Sequence, residues 1–120
     1  MAKVLIVDDS AMSRRMLRRI LEEAGHKVTE AEDGMVAIEK YFLDKPDVVL
    51  LDLIMKGMFG MEVLQKIRQI DERARVVVAS ADIQTSTRAM TEAEGALGFV
   101  TKPFIEKEII AAVDLALKER

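Results

Sequence analysis

Cysteine is absent from this 120-residue sequence, so neither a disulfide framework nor a thiolate metal site can form. That absence suits a reducing compartment, and a cytoplasmic location is expected. A single histidine, His26, excludes a multi-histidine metal centre. No apolar run approaches the roughly 20 residues of a membrane-spanning helix. Met1-Ala2-Lys3 leads straight into an apolar segment, which leaves no room for a signal peptide. Basic charge is not in excess either: 18 Lys and Arg stand against 21 Asp and Glu, a net charge of −3. Phosphate backbones select basic faces, so direct nucleic-acid binding is not expected. Linkers, repeats and low-complexity stretches are also missing. Half of the residues are hydrophobic and 32% are charged. One domain, residues 1–120, with one buried core and a well-solvated surface follows from these values.

Four short apolar runs stand out: Val4 to Val7, Val48 to Leu51, Val76 to Ala79 and Leu97 to Val100. The first three contain no polar residue, as in strands covered on both faces of a parallel sheet. His26 to Ala31 is more mixed and suits an edge strand. Helical patterns fill the intervals. Met12, Met16, Leu17, Ile20, Leu21 and Ala24 recur at helical spacing before Gly25. Ala37, Ile38, Tyr41 and Phe42 form a second stripe, and Leu64 and Ile67 mark a third helix from about Gly60 to Ile70. A polar, Thr-rich helix is expected from Ile83 to Glu94. Ile105, Ile109, Ile110, Val113, Ala116 and Leu117 make the last. Strand and helix alternate five times, which implies a doubly wound five-stranded parallel sheet with helices on both faces.

Ligands in such folds sit at the carboxyl ends of the strands. The residues there are Asp8-Asp9-Ser10, Asp52, Ser80 and Thr101-Lys102-Pro103. Taken singly they have ordinary uses. Asp8-Asp9-Ser10 fits a helix N-cap about as well as a ligand set. Asp52 could cap or turn the chain, Ser80 fits a loop hydroxyl, and Lys102 fits a solvated cation. Their joint placement changes the reading. Three carboxylates brought together repel, and a hard divalent cation such as Mg²⁺ answers that repulsion with oxygen coordination. Asp8, Asp9 and Asp52 carry −3 and Lys102 carries +1, so the group holds −2 before a metal binds. Mg²⁺ would bring it near neutral and leave positions for phosphoryl oxygens. One carboxylate can then attack phosphorus, while metal, ammonium and hydroxyl stabilise charge.

The segments VLIVDDS at 4–10, VVLLDLIM at 48–55, Gly60, VVVASA at 76–81 and GFVTKPF at 98–104 resemble those of response-regulator receiver domains of the stand-alone CheY type. The resemblance covers essentially the whole chain. It implies a flavodoxin-like sheet in strand order 2-1-3-4-5, and Asp52 as phosphoacceptor. It further implies Mg²⁺ ligation by Asp9, Asp52 and the Ile54 carbonyl, with Asp8 acting through water. Lys102 would contact the phosphoryl group and Ser80 would move to bond it. Phe99 would follow that move, and Pro103 would follow a cis peptide bond. The implied partners are a sensor histidine kinase or histidine phosphotransfer protein and a downstream protein target. The implied activity is a signalling switch, limited to self-phosphorylation and self-dephosphorylation.

Ser80 stands where the family more often has Thr, which the family tolerates. Lys56 stands where it very often has Pro, and Phe59 where it often has Asp or Asn. Neither fixes the chain as those residues do, so a looser loop is expected at 53–59. An interaction module independent of phosphorylation is the competing reading; the full acidic set with Ser80 and Lys102 argues against it. A flavin carrier on the same fold is disfavoured because Asp8-Asp9 would repel a flavin phosphate. Arg14, Arg15, Arg18 and Arg19 form a basic stripe. It reads either as a solvated face with Arg18–Glu22 and Arg19–Glu23 pairs, or as a docking surface for the phosphoryl donor. The eight methionines are expected mostly in the core, with Met55 and Met58 as exceptions that could fill a partner's groove. A monomer is expected, with Ile110 and Leu115 on the last helix as the place for a dimer or partner contact, although a wide buried face explains them as well.

Overall fold

The computed structural model describes residues 2–81 and 84–119. Strands and helices alternate as β1 (Lys3–Val7), α1 (Ala11–Glu23), β2 (Lys27–Ala31), α2 (Gly34–Asp44), β3 (Val48–Leu51), α3 (Gly60–Ile70), β4 (Val76–Ser80), α4 (Thr85–Ala93), β5 (Gly98–Thr101) and α5 (Glu106–Lys118). All strands run parallel in the order β2-β1-β3-β4-β5, as the resemblance implied. Ile83, where the sequence pattern begins the fourth helix, lies outside the described residues.

The unbroken runs are buried from Val4 to Val7, Val48 to Leu51 and Val76 to Ser80. Side chains alternate between the faces of a strand, and the core divides accordingly. Leu5, Val7, Val49, Leu51, Val76 and Val78 pack under Ala37 and Tyr41 of α2 and Val63, Leu64 and Ile67 of α3. Val4, Ile6, Val48, Leu50 and Val77 pack under Leu17, Ile20 and Leu21 of α1 and Ile109 and Val113 of α5. Each such Leu, Ile or Val contributes roughly 1.5–3 kcal/mol relative to an exposed position. The central β1 and β3 thus form a stiff support for whatever their ends carry.

Several side chains depart from the sequence reading. Met12, Met35 and Met90 are exposed, whereas Met55 is buried. Taking about 100° per residue, Met12 lies roughly 140° around α1 from Leu17, on the solvent side. Met55 instead folds inward with Leu53 and joins the core beneath the loop. Phe42 is 64% exposed, because Ala37 and Tyr41 take the buried stripe of α2 and Phe42 sits a further step around it. Ile105 is the extended residue before α5 and is exposed rather than part of its buried face. Leu115 is exposed too, so the buried face of α5 is narrower than a stripe through it would need.

The mixed strand β2 is an edge, as expected. Lys27 N–H donates to Ala2 O, and Asp8 N–H donates to Ala31 O. The alternate residues Val28 and Glu30 therefore turn their backbone groups to the open side. Both carbonyls are met by cations: Arg18 Nη2 reaches Val28 O at 3.4 Å, and Lys40 Nζ donates to Glu30 O. Charged side chains of this kind blunt an edge against further pairing. The Glu30 carboxylate accepts from Arg14 Nε at 2.9 Å and Arg18 Nε at 2.5 Å. Arg18 also pairs with Glu22 as the sequence suggested; among the described residues no Arg19–Glu23 pair is found.

Burial alone would raise the Glu30 pKa, but the bonds from Arg18 and Arg14 outweigh it and hold the carboxyl below its ordinary 4.5. A depressed folded pKa contributes stability above the unfolded value, and that contribution is lost as pH falls through the folded one. Glu30→Gln should therefore cost about 1 kcal/mol at neutral pH. The gap from wild type should narrow in urea melts below pH 4.5.

Candidate functional site

The order of the strands reverses between β1 and β3, and the crevice at that point is where doubly wound folds bind ligands. Val7 pairs with Leu51, so the next residues, Asp8 and Asp52, leave the sheet side by side. Asp52 N–H donates to Val7 O at 2.9 Å and ties the two ends together. Asp8 and Asp52 are both buried, while Asp9 is exposed. One carboxylate oxygen from each of the three lies within 4.8 Å of the others.

Lys102 enters from the end of β5. Its N–H donates to Ser80 O at 3.1 Å. Its Nζ stands 2.9 Å from Asp8 Oδ2 and 3.2 Å from Asp52 Oδ2. The structure therefore brings Asp8, Asp9, Asp52 and Lys102 together. Ser80 is fully buried beside them at the end of β4, paired with Thr101. Phe99 lies further back on β5, half-buried, with the Arg88 guanidinium 5.0 Å from its ring centre. The Lys102–Pro103 peptide is cis. The Ile54 N–H donates to Asp52 Oδ1 at 3.0 Å.

The electrostatics are those of a group short of positive charge. Burial raises the Asp8 pKa and the nearby Asp52 charge adds to the rise, against the Ser10 N–H at 2.8 Å and Lys102. Burial lowers the Lys102 pKa, but Asp8 and Asp52 overcome it and hold the ammonium above its ordinary value. Among the described residues, the buried Asp8 Oδ2 meets the Lys102 ammonium at 2.9 Å and no second donor. A buried oxygen of that kind within a −2 cluster fits a hard divalent cation, whose charge would relieve the repulsion and whose waters would supply a further donor.

The loop after β3 is anchored more firmly than Lys56 and Phe59 suggest. Leu53 and Met55 are buried, and Met58 and Met61 lean on the same cluster. The Lys56 N–H donates to Asp9 Oδ2 at 3.2 Å, and Gly60 N–H to Leu53 O at 3.0 Å. Gly60 was part of the matched pattern without a physical reason. A Cβ there would stand 2.4 Å from both Asp52 O and Leu53 Cα, so only glycine lets α3 begin against the Asp52 backbone. Arg14 was read as part of a surface stripe, yet its Nη1 donates to the Asp8 main-chain oxygen at 2.7 Å. The sequence signal was a cation one turn beyond the acidic pair.

A doubly wound sheet with three carboxylates and a lysine at its switch point defines a receiver-type signalling domain. The chain belongs to the response regulator receiver domain family, whose model matches residues 4–114. It is 40% identical to the chemotaxis protein CheY of Bacillus subtilis over 96% of this chain and 97% of that one. It is 35% identical to the sporulation initiation phosphotransferase F of the same organism, over 92% and 90%. The structure of Vibrio cholerae chemotaxis protein CheY4 superposes with a TM-score of 0.90 at 30% identity, covering 95% of this chain and 97% of that one.

Two outcomes follow from this geometry. Phe59 occupies the N-cap of α3 without a side-chain cap bond and is 68% exposed. Phe59→Asn should supply the cap and add about 1 kcal/mol in chemical denaturation. Asp8→Asn removes a carboxylate whose folded pKa is raised. A raised pKa favours folding below the unfolded value and loses that benefit as pH rises through the folded one. The metal-free variant should therefore be more stable than wild type at neutral pH and converge on it in acid, while its Mg²⁺ affinity falls about 10–100-fold.

Proposed function

We propose that residues 1–120 work as one receiver unit in which Asp52 accepts a phosphoryl group. The donor is a phosphohistidine on a sensor kinase or histidine phosphotransfer protein in the cytoplasm, and the phosphorylated form signals by binding a downstream protein. The observation that carries this reading is the convergence of the Asp8, Asp9 and Asp52 oxygens with Lys102 Nζ at one sheet edge. The exposed side of α1, with Met12 and Arg15 a few residues after the acidic pair, supports a docking role for that face.

In the transfer an Asp52 carboxylate oxygen forms the bond to phosphorus as the donor's N–P bond breaks. The electron pair returns to the imidazole. Asp9, Asp52 and the Ile54 carbonyl would hold Mg²⁺, with Asp8 acting through water, and the bound ion would supply positive charge to the phosphoryl oxygens. Asp52 is presented with one oxygen bonded to the Ile54 N–H and the other to Lys102. These bonds orient the attacking carboxylate. Lys102 then turns its ammonium to the incoming phosphoryl oxygens, and the Ser80 hydroxyl bonds a second oxygen. That movement draws Phe99, whose ring follows the vacated space, and Pro103 fixes the path of the chain after Lys102. Attack of water on the acyl phosphate releases inorganic phosphate and restores the carboxylate, so the activity is that of a self-resetting switch.

Incubation with acetyl phosphate and Mg²⁺ should yield a phosphoryl adduct by intact mass. Asp52→Asn should give none, because an amide is a poor nucleophile and brings no charge to the cation. An adduct of wild-type yield on Asp52→Asn would reassign the acceptor. No adduct on wild type with either acetyl phosphate or histidine-phosphorylated donors would favour a phosphorylation-independent interaction module.

A further inference from the structure

The peptide between Asp8 and Asp9 is the point where a buried carboxylate and an exposed one diverge. Asp8 N–H is fixed by Ala31 O, and Asp8 Oδ1 is fixed by Ser10 N–H. The Asp8 carbonyl lies beyond the last paired residue of β1 and accepts from Arg14 Nη1 at 2.7 Å. The orientation of that carbonyl sets the plane of the peptide, and the plane sets the direction in which Asp9 leaves the chain. That plane directs Asp9 toward the other two carboxylates, and the Lys56 N–H holds its Oδ2 from the facing loop.

Arg14 is itself held. Its N–H donates to Ser10 O at 3.0 Å within the first turn of α1. Its Nε donates to Glu30 Oε1 at 2.9 Å, and its side chain is only 16% exposed. Glu30 is secured in turn by Arg18 on its other oxygen and by Lys40 on its carbonyl. A planar guanidinium can serve Glu30 and the Asp8 carbonyl at once with two fixed N–H directions; an ammonium on a flexible stem cannot. The Arg14 charge stands among those of Arg18, Lys40, Glu30 and Glu22, whereas its bond to the Asp8 carbonyl is specific in direction.

We propose that Arg14 is a positioning residue of the acidic pocket: it locks the Asp8–Asp9 peptide through the Asp8 carbonyl, and Glu30 aims it. The inference rests on the reading that the pocket takes Mg²⁺.

Charge and geometry predict opposite signs, which makes the inference testable without any phosphoryl donor. Mg²⁺ is titrated against wild type, Arg14→Met, Arg14→Lys and Arg18→Met, and the dissociation constant is read from the backbone amide shifts of Asp9 and Ser10. Both Arg14 variants should bind Mg²⁺ about tenfold more weakly, the loss typical of an outer-shell partner. Arg18→Met also removes a cation from Glu30 but leaves the Arg14–Glu30 bond and the Asp8 carbonyl contact in place, so its loss of affinity should be clearly smaller than that of either Arg14 variant. Urea melts of the same proteins record the structural cost separately, and Arg18→Met should share that cost with a smaller loss of affinity. If Arg14 acted only as a nearby charge, Arg14→Met would bind Mg²⁺ more tightly than wild type and Arg14→Lys equally well; either result overturns the inference. Arg14→Lys keeps the charge and the helical stem, so it decides the matter should Arg14→Met not fold. A wild-type domain that fails to respond to Mg²⁺ removes the functional reading and this inference together. Mg²⁺ binding and Asp52 phosphorylation in wild type, with Arg14 variants of unchanged affinity, remove this inference alone.

Discussion

Everything at the working edge of this protein answers to one electrostatic constraint: three carboxylates share a pocket with one ammonium. The register of β1 against β3 forces Asp8 and Asp52 together, since Val7 and Leu51 are paired immediately before them. Neither carboxylate can retreat into water, because both are buried. Lys102 is drawn between them, within 2.9 Å of one and 3.2 Å of the other. A site left at −2 in this way opposes folding locally, and the two apolar layers around the sheet must outweigh it. That is why the residues beneath the site are an unbroken set of Val, Leu and Ile, and why polar groups enter only where a strand stops.

The surrounding contacts can be understood as means of holding those charges still. Ser10 spends its N–H on Asp8 and its hydroxyl on the N–H of Ser13 at 3.2 Å, so one residue both starts α1 and pins a carboxylate. The Lys56 N–H pins Asp9 from the loop after β3. Glycine at position 60 lets α3 start against the Asp52 backbone. None of these contacts is strong alone, since a net protein hydrogen bond is worth about 1 kcal/mol. Their value is directional: a metal that dehydrates reluctantly would need such oxygens to converge.

Much of this was legible in the sequence, and for a simple reason. A fully buried parallel strand admits no polar residue, so an Asp at the end of Val4 to Val7 or Val48 to Leu51 can only be at the sheet edge. Strand order and the four charged residues of the pocket could be read from that rule with the family resemblance. The rest depends on angles around helices and on long side chains. Met12 and Met16 fall near the apolar stripe of α1 in a list of spacings, yet Leu17, Ile20 and Leu21 alone face the sheet. Phe42 follows Tyr41 in sequence but not in orientation. Met55, expected with Met58 as a side chain free to fill a partner's groove, instead packs in the core under the pocket. Arg14 has four rotatable bonds before its guanidinium, and no periodicity tells which carbonyl it will find.

The remaining question is how a change at the carboxylates would leave the pocket. The backbone supplies a short route. Lys102 N–H holds Ser80 O, Ser80 pairs with Thr101, and Val78 pairs with Phe99 along the same ladder. Phe99 therefore sits two residues from the lysine's strand end, in contact with the core on one side and with Arg88 of α4 on the other. Among the helices α4 is the least embedded, with Thr91 its one buried residue. A helix with little buried surface has little to lose by shifting, and local rearrangement is drawn from such elements. Under the proposed chemistry, a movement of Ser80 and Lys102 toward a phosphoryl group changes the space behind Phe99 first. The Arg88–Phe99 contact then carries that change to α4, where the energetic resistance is smallest. On that reading the rigid strands β1 and β3 would keep the carboxylates in place, and the lightly held helix would provide the readable surface. Both properties follow from how far each element is buried.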